Sequence, residues 1–203
     1  MSAPDVHDDE LETQNTPGYK PTAAKSLDEY KNLDANDESL ARWKASLGIS
    51  GSASEDTSKP KLTVSYLELT SSTLPAGQTI KVDISNPARI RALKDGKPIQ
   101  VKEGADYKVY ITFNVNHGLV TGARYIHSVK RGPVRLDKTD SMLGSYSAKA
   151  EPIRVAVVED EFPSGMLARS SYTVKSRVQD FDGGIFAEWE WHFKIAKEWQ
   201  SDN

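Results

Sequence analysis

The residue types that most often carry catalysis or bind metals are few in this sequence and poorly placed for either task. The chain has four histidines and no cysteine, which excludes a thiolate zinc site, a cysteine nucleophile and a disulfide framework. No two histidines have H-x-H or H-E-x-x-H spacing, so we expect no metal site. The G-x-S-x-G, Walker and G-x-G-x-x-G motifs of hydrolases and nucleotide-binding proteins are also missing.

Carboxylates are plentiful, but they cluster in segments that are predicted as loops. Asp8 and Asp9 form one such cluster, and Glu159, Asp160 and Glu161 form another. Clustered loop acids are more often solvated charge than a general acid and base pair. We therefore expect a binding protein without a cofactor, and an enzyme is the weaker hypothesis.

A basic run is formed by Lys130, Arg131, Arg135 and Lys138. It is either a contact for an anionic surface or a solvated turn, and the sequence leaves both interpretations open. The whole chain of 203 residues has a net charge of −3. This balance excludes a generally basic nucleic-acid binder.

Targeting signals are missing from the sequence. The N-terminus lacks the basic start and the apolar stretch of a secretory signal. The longest aliphatic run, from Val155 to Val158, is far shorter than the ~20 residues that cross a bilayer. With the absence of cysteine, these features predict an intracellular, cytoplasmic protein.

The elements that position the candidate residues divide the chain into two parts. Residues 1–58 contain 12 acidic and 5 basic residues, a net charge of −7, whereas residues 59–203 contain 17 acidic and 21 basic residues, a net charge of +4. Residues 1–25 have almost no large apolar side chains and are predicted to be disordered when alone. Residues 49–58 read as a Gly/Ser-rich linker. The sequence thus predicts an acidic, flexible arm over 1–58 and a folded domain over 59–203.

A helical pair is predicted within the arm, over about residues 26–48. Ser26 and Glu29 form a capping box at the start of the first helix. A second helix begins near Asn36 or Asp37 and places on one face Leu40, Trp43, Lys44 and Leu47. This face either docks on the chain's own domain or orders on contact with a partner.

From Lys61 onward the apolar period changes to two, which is typical of strands with one buried face. The clearest alternation covers residues 107–115 and 189–195. Similar segments are 62–70, 78–84, 119–129, 151–158 and 166–178. Seven or more short strands in ~145 residues predict an all-β, antiparallel sandwich of the immunoglobulin kind.

Four segments carry unusual strings in a fixed order: KPTAAKSLDEYKNLDANDESLARWKASLG (20–48), LVTGARYIHSVKRGPVRLDKTDSMLGSYS (119–147), PSGMLARSSYTVKSRVQDFD (163–182) and EWEWHFKIAKEW (188–199). With their DKTD, GSY, GMLAR and WEW strings, they resemble the Rho GDP-dissociation inhibitor family, and most of all its fungal members. The resemblance implies a non-enzymatic monomer that forms a heterodimer with a prenylated Rho-family GTPase in the GDP state. It also implies that the protein blocks GDP release and extracts the GTPase from membranes, which it touches only transiently. A carrier of other lipids or lipidated proteins on the same fold is the alternative.

The resemblance also implies roles for individual residues. Contacts with the GTPase fall on the arm helix and one turn of the sandwich, at Asp37, Glu38, Leu40, Trp43, Lys44, Leu47 and Asp182. The geranylgeranyl group, the only ligand expected, falls between the two sheets against Leu69, Ile99, Tyr107, Leu119, Leu167, Val174, Trp189 and Trp191. Plain core packing is the other interpretation for each of these apolar residues. Ser26 and Ser171 match sites of phosphorylation.

Overall fold

A computed structural model describes residues 9–12, 37–46 and 56–200, and gives only the backbone for Asp9 and for residues 43–46. The first predicted arm helix, with Ser26, lies outside the described residues. Leu47 and residues 49–55 of the predicted linker lie outside them as well.

The described residues form nine strands in two sheets. The strands are β1 (Leu62–Thr70), β2 (Ile80–Asp83), β3 (Ile99–Lys102), β4 (Asp106–Val115), β5 (Leu119–Arg131), β6 (Val134–Ser147), β7 (Ile153–Glu161), β8 (Ser171–Gln179) and β9 (Ile185–Ala196). One sheet has the strand order β2-β1-β4-β7, and the other has the order β3-β9-β8-β5-β6. The helices are α1 (Glu38–Ser46) and α2 (Pro87–Lys94), and a short 3-10 turn covers Asp9–Leu11. The all-β sandwich prediction is confirmed.

One pairing departs from the predicted antiparallel arrangement. Strand β3 runs parallel to β9, with Ile99 opposite Phe193 and Val101 opposite Ile195. The five-stranded sheet is therefore mixed. Strands β3 and β9 are far apart in the chain, so no hairpin joins them, and the segment with α2 carries the chain from β2 in one sheet to β3 in the other.

Helix α2 was not predicted, although its start has clear signals. The Asn86 side chain accepts hydrogen bonds from the amides of Ala88 and Arg89, both at 3.1 Å, and Pro87 occupies the first turn. An Asn cap followed by proline is a typical helix start. Strands β3 and β6 were also missed. The first five residues of β6, 134–138, are all exposed, so its sequence has no clear period of two.

The segment 166–178, predicted as one strand, begins its strand only at Ser171. The Arg169 guanidinium pairs with Glu103 at 2.7 Å, and the Gly165 amide donates to the same carboxylate at 2.9 Å. These bonds hold residues 165–169 as a turn, in which Gly165 has a φ of +98°. Arg169 also lowers the pKa of Glu103, so this carboxylate stays charged.

The N-terminal turn corrects the prediction that residues 1–25 are all disordered. The turn packs against β5 and β8, and Leu11 is completely buried. Its acidic neighbour Glu10 forms ion pairs with Lys130 and Lys175. One buried leucine and these ion pairs hold a segment whose composition alone predicts disorder.

The sandwich core has two ends, which we call the packed end and the cavity end because side chains fill the space between the sheets at only one of them. At the packed end, completely buried side chains from both sheets meet: Leu62, Phe113, Val115, Val120, Ala123 and Val178. The described chain also enters here, where the Asp56 amide donates to the carbonyl oxygen of Asn116 at 2.8 Å. At the cavity end, around Leu69 and Tyr107, a space remains between the sheets.

Candidate lipid-binding site

The space at the cavity end has a volume of about 180 Å³. Both sheets contribute to it: Leu69, Tyr107, Val109 and Val158 come from one, and Tyr125, His127, Val129, Tyr172, Val174, Trp191, Phe193 and Ile195 come from the other. Phe162 and Pro163, which follow β7, close one side. Small-molecule sites are typically concave and apolar, with few polar groups. This cavity has that character.

Stacked aromatic rings form a large part of the wall. Tyr107 and Phe162 stack with ring centroids 4.1 Å apart, and Tyr172 and Phe193 stack at 4.9 Å. A centroid distance of 5.7 Å between Phe162 and Phe193 joins the two pairs. The ring faces offer a large contact area to an apolar ligand, and this contact requires no hydrogen bond from the ligand.

Two tyrosine hydroxyls in the cavity wall, those of Tyr107 and Tyr125, have raised pKa values. Burial raises the pKa of Tyr107 to about 12, and the carboxylates of Asp160 and Asp137 act in the same direction. Burial also raises the pKa of Tyr125, whose hydroxyl lies 3.1 Å from the Ser176 hydroxyl. Neither phenol therefore places a charge against a bound ligand near neutral pH.

His127 is a buried imidazole in the cavity wall. Burial lowers its pKa, although the Asp137 carboxylate, 3.5 Å from Nε2, favours the protonated ring. Its Nδ1 atom is buried and has no hydrogen-bond partner within the described residues. The neutral imidazole is thus the form that fits this site.

Acidic side chains surround the mouth of the cavity. Asp137, Asp160 and Glu161 are exposed and line its outer part. Leu136, which is 52% exposed, lies beside them. The site is therefore apolar inside and negatively charged at its entrance.

Four of the eight residues expected at the lipid line this cavity: Leu69, Tyr107, Val174 and Trp191. The two sheets bring them together from β1, β4, β8 and β9. These residues are distant in sequence, and the sandwich fold brings them together.

The other four expected residues lie elsewhere. Leu119 is buried at the packed end, paired with Ser147. Trp189 is buried in the core with its ring 6.1 Å from that of Tyr125. Ile99 lines a separate groove beside Trp199. Leu167 is 88% exposed in the turn before β8.

Several lining residues were not named from the sequence. Val109 follows Tyr107 by two positions, and Phe193 and Ile195 follow Trp191 in the same phase. The alternation could have found these three residues. Phe162 and Pro163 carry no such signal, because they follow the end of β7.

Helix α1 bears the residues expected to contact a GTPase. It begins at Glu38, one residue after Asp37. Asp37 is exposed, and its Oδ1 accepts hydrogen bonds from the amides of Ser39 at 2.8 Å and Leu40 at 3.1 Å. This carboxylate is therefore the N-cap of the helix. Glu38 pairs with Arg42 at 3.6 Å on the exposed surface.

The other residues expected to contact a GTPase or to be phosphorylated lie in different parts of the chain. Trp43 and Lys44 lie in α1 by their backbone, and Leu47 and Ser26 are outside the described residues. Asp182 is exposed in the turn between β8 and β9, at the packed end. Ser171 is exposed at the first position of β8.

Two further expectations can be compared with the described part of the chain. Within it, no group of three or more His, Asp or Glu side chains is arranged to hold a metal ion. No helix there is long and apolar enough to cross a membrane.

Comparison with known proteins identifies the family. A model of the family described as RHO protein GDP dissociation inhibitor matches residues 4–198. Rho GDP-dissociation inhibitor 1 of Bos taurus is 38% identical over 189 residues, which cover 93% of this chain and 90% of that protein. The Rho GDP-dissociation inhibitor of Saccharomyces cerevisiae is 39% identical over 193 residues, 92% of this chain and 94% of that protein. The one of Schizosaccharomyces pombe is 36% identical over 199 residues, 97% of this chain and 96% of that protein. The chain therefore belongs to the Rho protein GDP-dissociation inhibitor family.

Proposed function

We propose that this protein binds Rho-family GTPases in their GDP state and holds their geranylgeranyl group in the cavity between the two sheets. The observation that carries the proposal is an apolar, aromatic cavity that opens at one end of the sandwich in a member of this family. Val174 and Trp191 form its wall on one sheet, and Leu69 and Tyr107 form it on the other. No cofactor and no covalent step are needed.

Burial of the lipid supplies most of the binding free energy. A C20 isoprenoid buried at ~0.8 kcal/mol per carbon group contributes on the order of 10–16 kcal/mol before the costs of binding. A single lipid chain anchors a protein to a bilayer only reversibly. A cavity of similar polarity, together with a protein contact, can therefore compete with the membrane.

The size and charge of the cavity refine the proposal. Its volume of about 180 Å³ is below the ~300–1,000 Å³ of typical small-molecule sites. The sheets or their side chains must therefore move apart to take a full C20 chain. The exposed acids Asp137, Asp160 and Glu161 at the mouth favour a lipidated segment that carries Lys or Arg beside the lipid.

The arm helix supplies preference for the GDP state. Its residues from Asp37 to Arg42 are mostly exposed, so they are available to a partner. A protein that binds one nucleotide state better than the other stabilises that state by linkage, without catalysis. The exposed Asp182 lies at the packed end, where the described sandwich begins at Asp56. We place the GTPase against α1 and this turn, in a one-to-one heterodimer.

A carrier of other lipids is the second candidate. Such a carrier needs the cavity but does not need the DESLARWK helix. Family membership and α1 together favour the GTPase inhibitor.

Membrane extraction tests the proposal. Vesicles of phosphatidylcholine and phosphatidylserine that carry a geranylgeranylated, GDP-bound Rho GTPase are mixed with the protein and sedimented. We expect the GTPase in the supernatant as a one-to-one complex, and slower GDP release from it. An unprenylated GTPase is the control and should bind far more weakly. A GTPase that stays on the vesicles with this protein in excess contradicts the proposal.

A further inference from the structure

The outer face of the five-stranded sheet carries a second recognition surface. Side chains of β5 alternate between the two faces of the sheet. Because His127 and Val129 line the cavity, Ile126, Ser128 and Lys130 lie on the opposite, outer face.

Lysines surround Ser128 on this outer face. Ser128 is paired with Lys138 in β6 and with Lys175 in β8. Lys130 follows two positions later on the same strand. Ser128 is almost completely buried, and its hydroxyl has no hydrogen-bond partner within the described residues. We call Ile126, Ser128, Lys130, Lys138 and Lys175 the basic cradle.

The N-terminal turn occupies the basic cradle. The Glu10 carboxylate pairs with Lys130 and lies 3.6 Å from the Lys175 ammonium group. The Lys138 ammonium group donates a hydrogen bond to the carbonyl oxygen of Glu12. Three lysines from three neighbouring strands thus hold one acidic segment. Two of them, Lys130 and Lys138, belong to the basic run seen in the sequence.

The contact also has an apolar part. Leu11 and Ile126 are each completely buried, but neither belongs to the core cluster between the sheets. The turn packs on β5 and β8, and Ile126 faces outward from β5. Leu11 therefore covers Ile126. An apolar side chain at the centre of a charged contact selects for more than negative charge.

We propose that the basic cradle is a docking site for a peptide segment in which leucine follows an acidic residue, and that the chain's own Glu10-Leu11 fills it. The contact consists of one buried leucine and a few charge pairs, which is too small for tight binding between separate molecules. The tether raises the effective concentration of the segment and keeps the site filled. A partner that presents leucine after an acidic residue then competes for it.

A spin label on the full chain tests this proposal, because the sequence has no cysteine. A nitroxide is attached at Thr13→Cys, and NMR signals of Ser128 and Lys130 are recorded. We expect these signals to be broadened strongly. An excess of an unlabelled peptide of residues 5–16 should restore them. The same peptide with serine in place of Leu11 has the same charge and should need at least about fivefold higher concentration.

Charge reversal supplies the matched control. Lys130→Glu combined with Lys175→Glu should abolish the broadening, while Lys149→Glu, an exposed change outside the basic cradle, should leave it intact. Signals that are not broadened in the labelled chain would overturn the docked position. Equal displacement by the leucine and serine peptides would overturn the recognition of leucine. No GTPase is used, so neither result depends on the proposed function.

Discussion

The two ends of the sandwich are built from the same strands but are filled differently. In β4, Ile111 and Phe113 are completely buried at or near the packed end, whereas Tyr107 and Val109 face the cavity. All four side chains point inward with the same period. The comparison teaches that alternation fixes which way a side chain points, while the opposite sheet decides whether it becomes core or ligand wall.

The largest effect is expected at the packed end. Phe113→Ala removes a completely buried ring whose centroid lies 5.4 Å from that of Tyr146. The change should lower the free energy of unfolding by about 3–5 kcal/mol, because it leaves a cavity in a filled core. Denaturant titration measures this loss. Val109→Ala at the cavity end is the control, and an equal loss there would contradict the distinction between the ends.

Filling the cavity should separate binding from stability. Val174→Trp places a large ring in the open space, so we expect the affinity for a fluorescent geranylgeranyl peptide to fall by about a hundredfold, equivalent to ~2.7 kcal/mol. The melting temperature should change little. Val178→Trp, in the same strand at the packed end, should instead destabilise the fold by overpacking. A Val174 variant that binds the lipid normally would sink the site assignment.

The arm can be tested with two changes at Asp37. Asp37→Ala removes both the negative charge and the helix cap, and losing a capping side chain costs about 0.5–2 kcal/mol. Asp37→Asn keeps a capping side chain and removes only the charge. If the charge contacts the GTPase, both variants should inhibit GDP release less than the unchanged protein does. Their affinity for a geranylgeranyl peptide should stay similar to that of the unchanged protein. Full inhibition by the Asn variant would assign Asp37 to the cap alone.

The smallest effect concerns pH. Burial lowers the pKa of His127 below its ordinary value of 6.5, so the unfolded chain binds the proton more readily. The neutral His127 ring contributes fully to the free energy of unfolding above pH ~6.5. This contribution is lost as the pH falls from there through the lower pKa that His127 has in the folded protein. His127→Phe should flatten the fall in melting temperature below pH 6.5. Asp137→Asn should steepen it, since Asp137 favours the protonated ring. Identical pH profiles for all three proteins would contradict the buried, neutral histidine.

Strands with strict alternation were predictable from the sequence alone. The predicted 62–70 coincides with β1, and the predicted 107–115 differs from β4 by one residue. Strand β6 was not predictable in this way, because its first five residues are all exposed. A period of two arises only where one face is buried.

The position of the cavity was only partly predictable. Leu62 and Leu69 are both buried leucines of β1 that belong to the core between the sheets, yet only Leu69 lines the space. The difference depends on how far apart the sheets lie at each end, and no local pattern encodes that separation. The docked Leu11 was missed for a related reason, since the strands against which its turn packs, β5 and β8, lie more than a hundred residues away.

The parallel pairing of β3 with β9 has a consequence for the behaviour of the protein in concentrated solution. Strand β9 has 12 residues, and an uncovered edge of that length would invite strand addition by a second chain. Strand β3 covers only its last four residues, from Phe193 to Ala196. Helix α2 packs beside the preceding part, where the carbonyl oxygen of Lys94 lies 3.0 Å from Nε2 of His192. The chain between β2 and β4, with α2 and β3, therefore protects the molecule against aggregation through the strand that has the most aromatic residues.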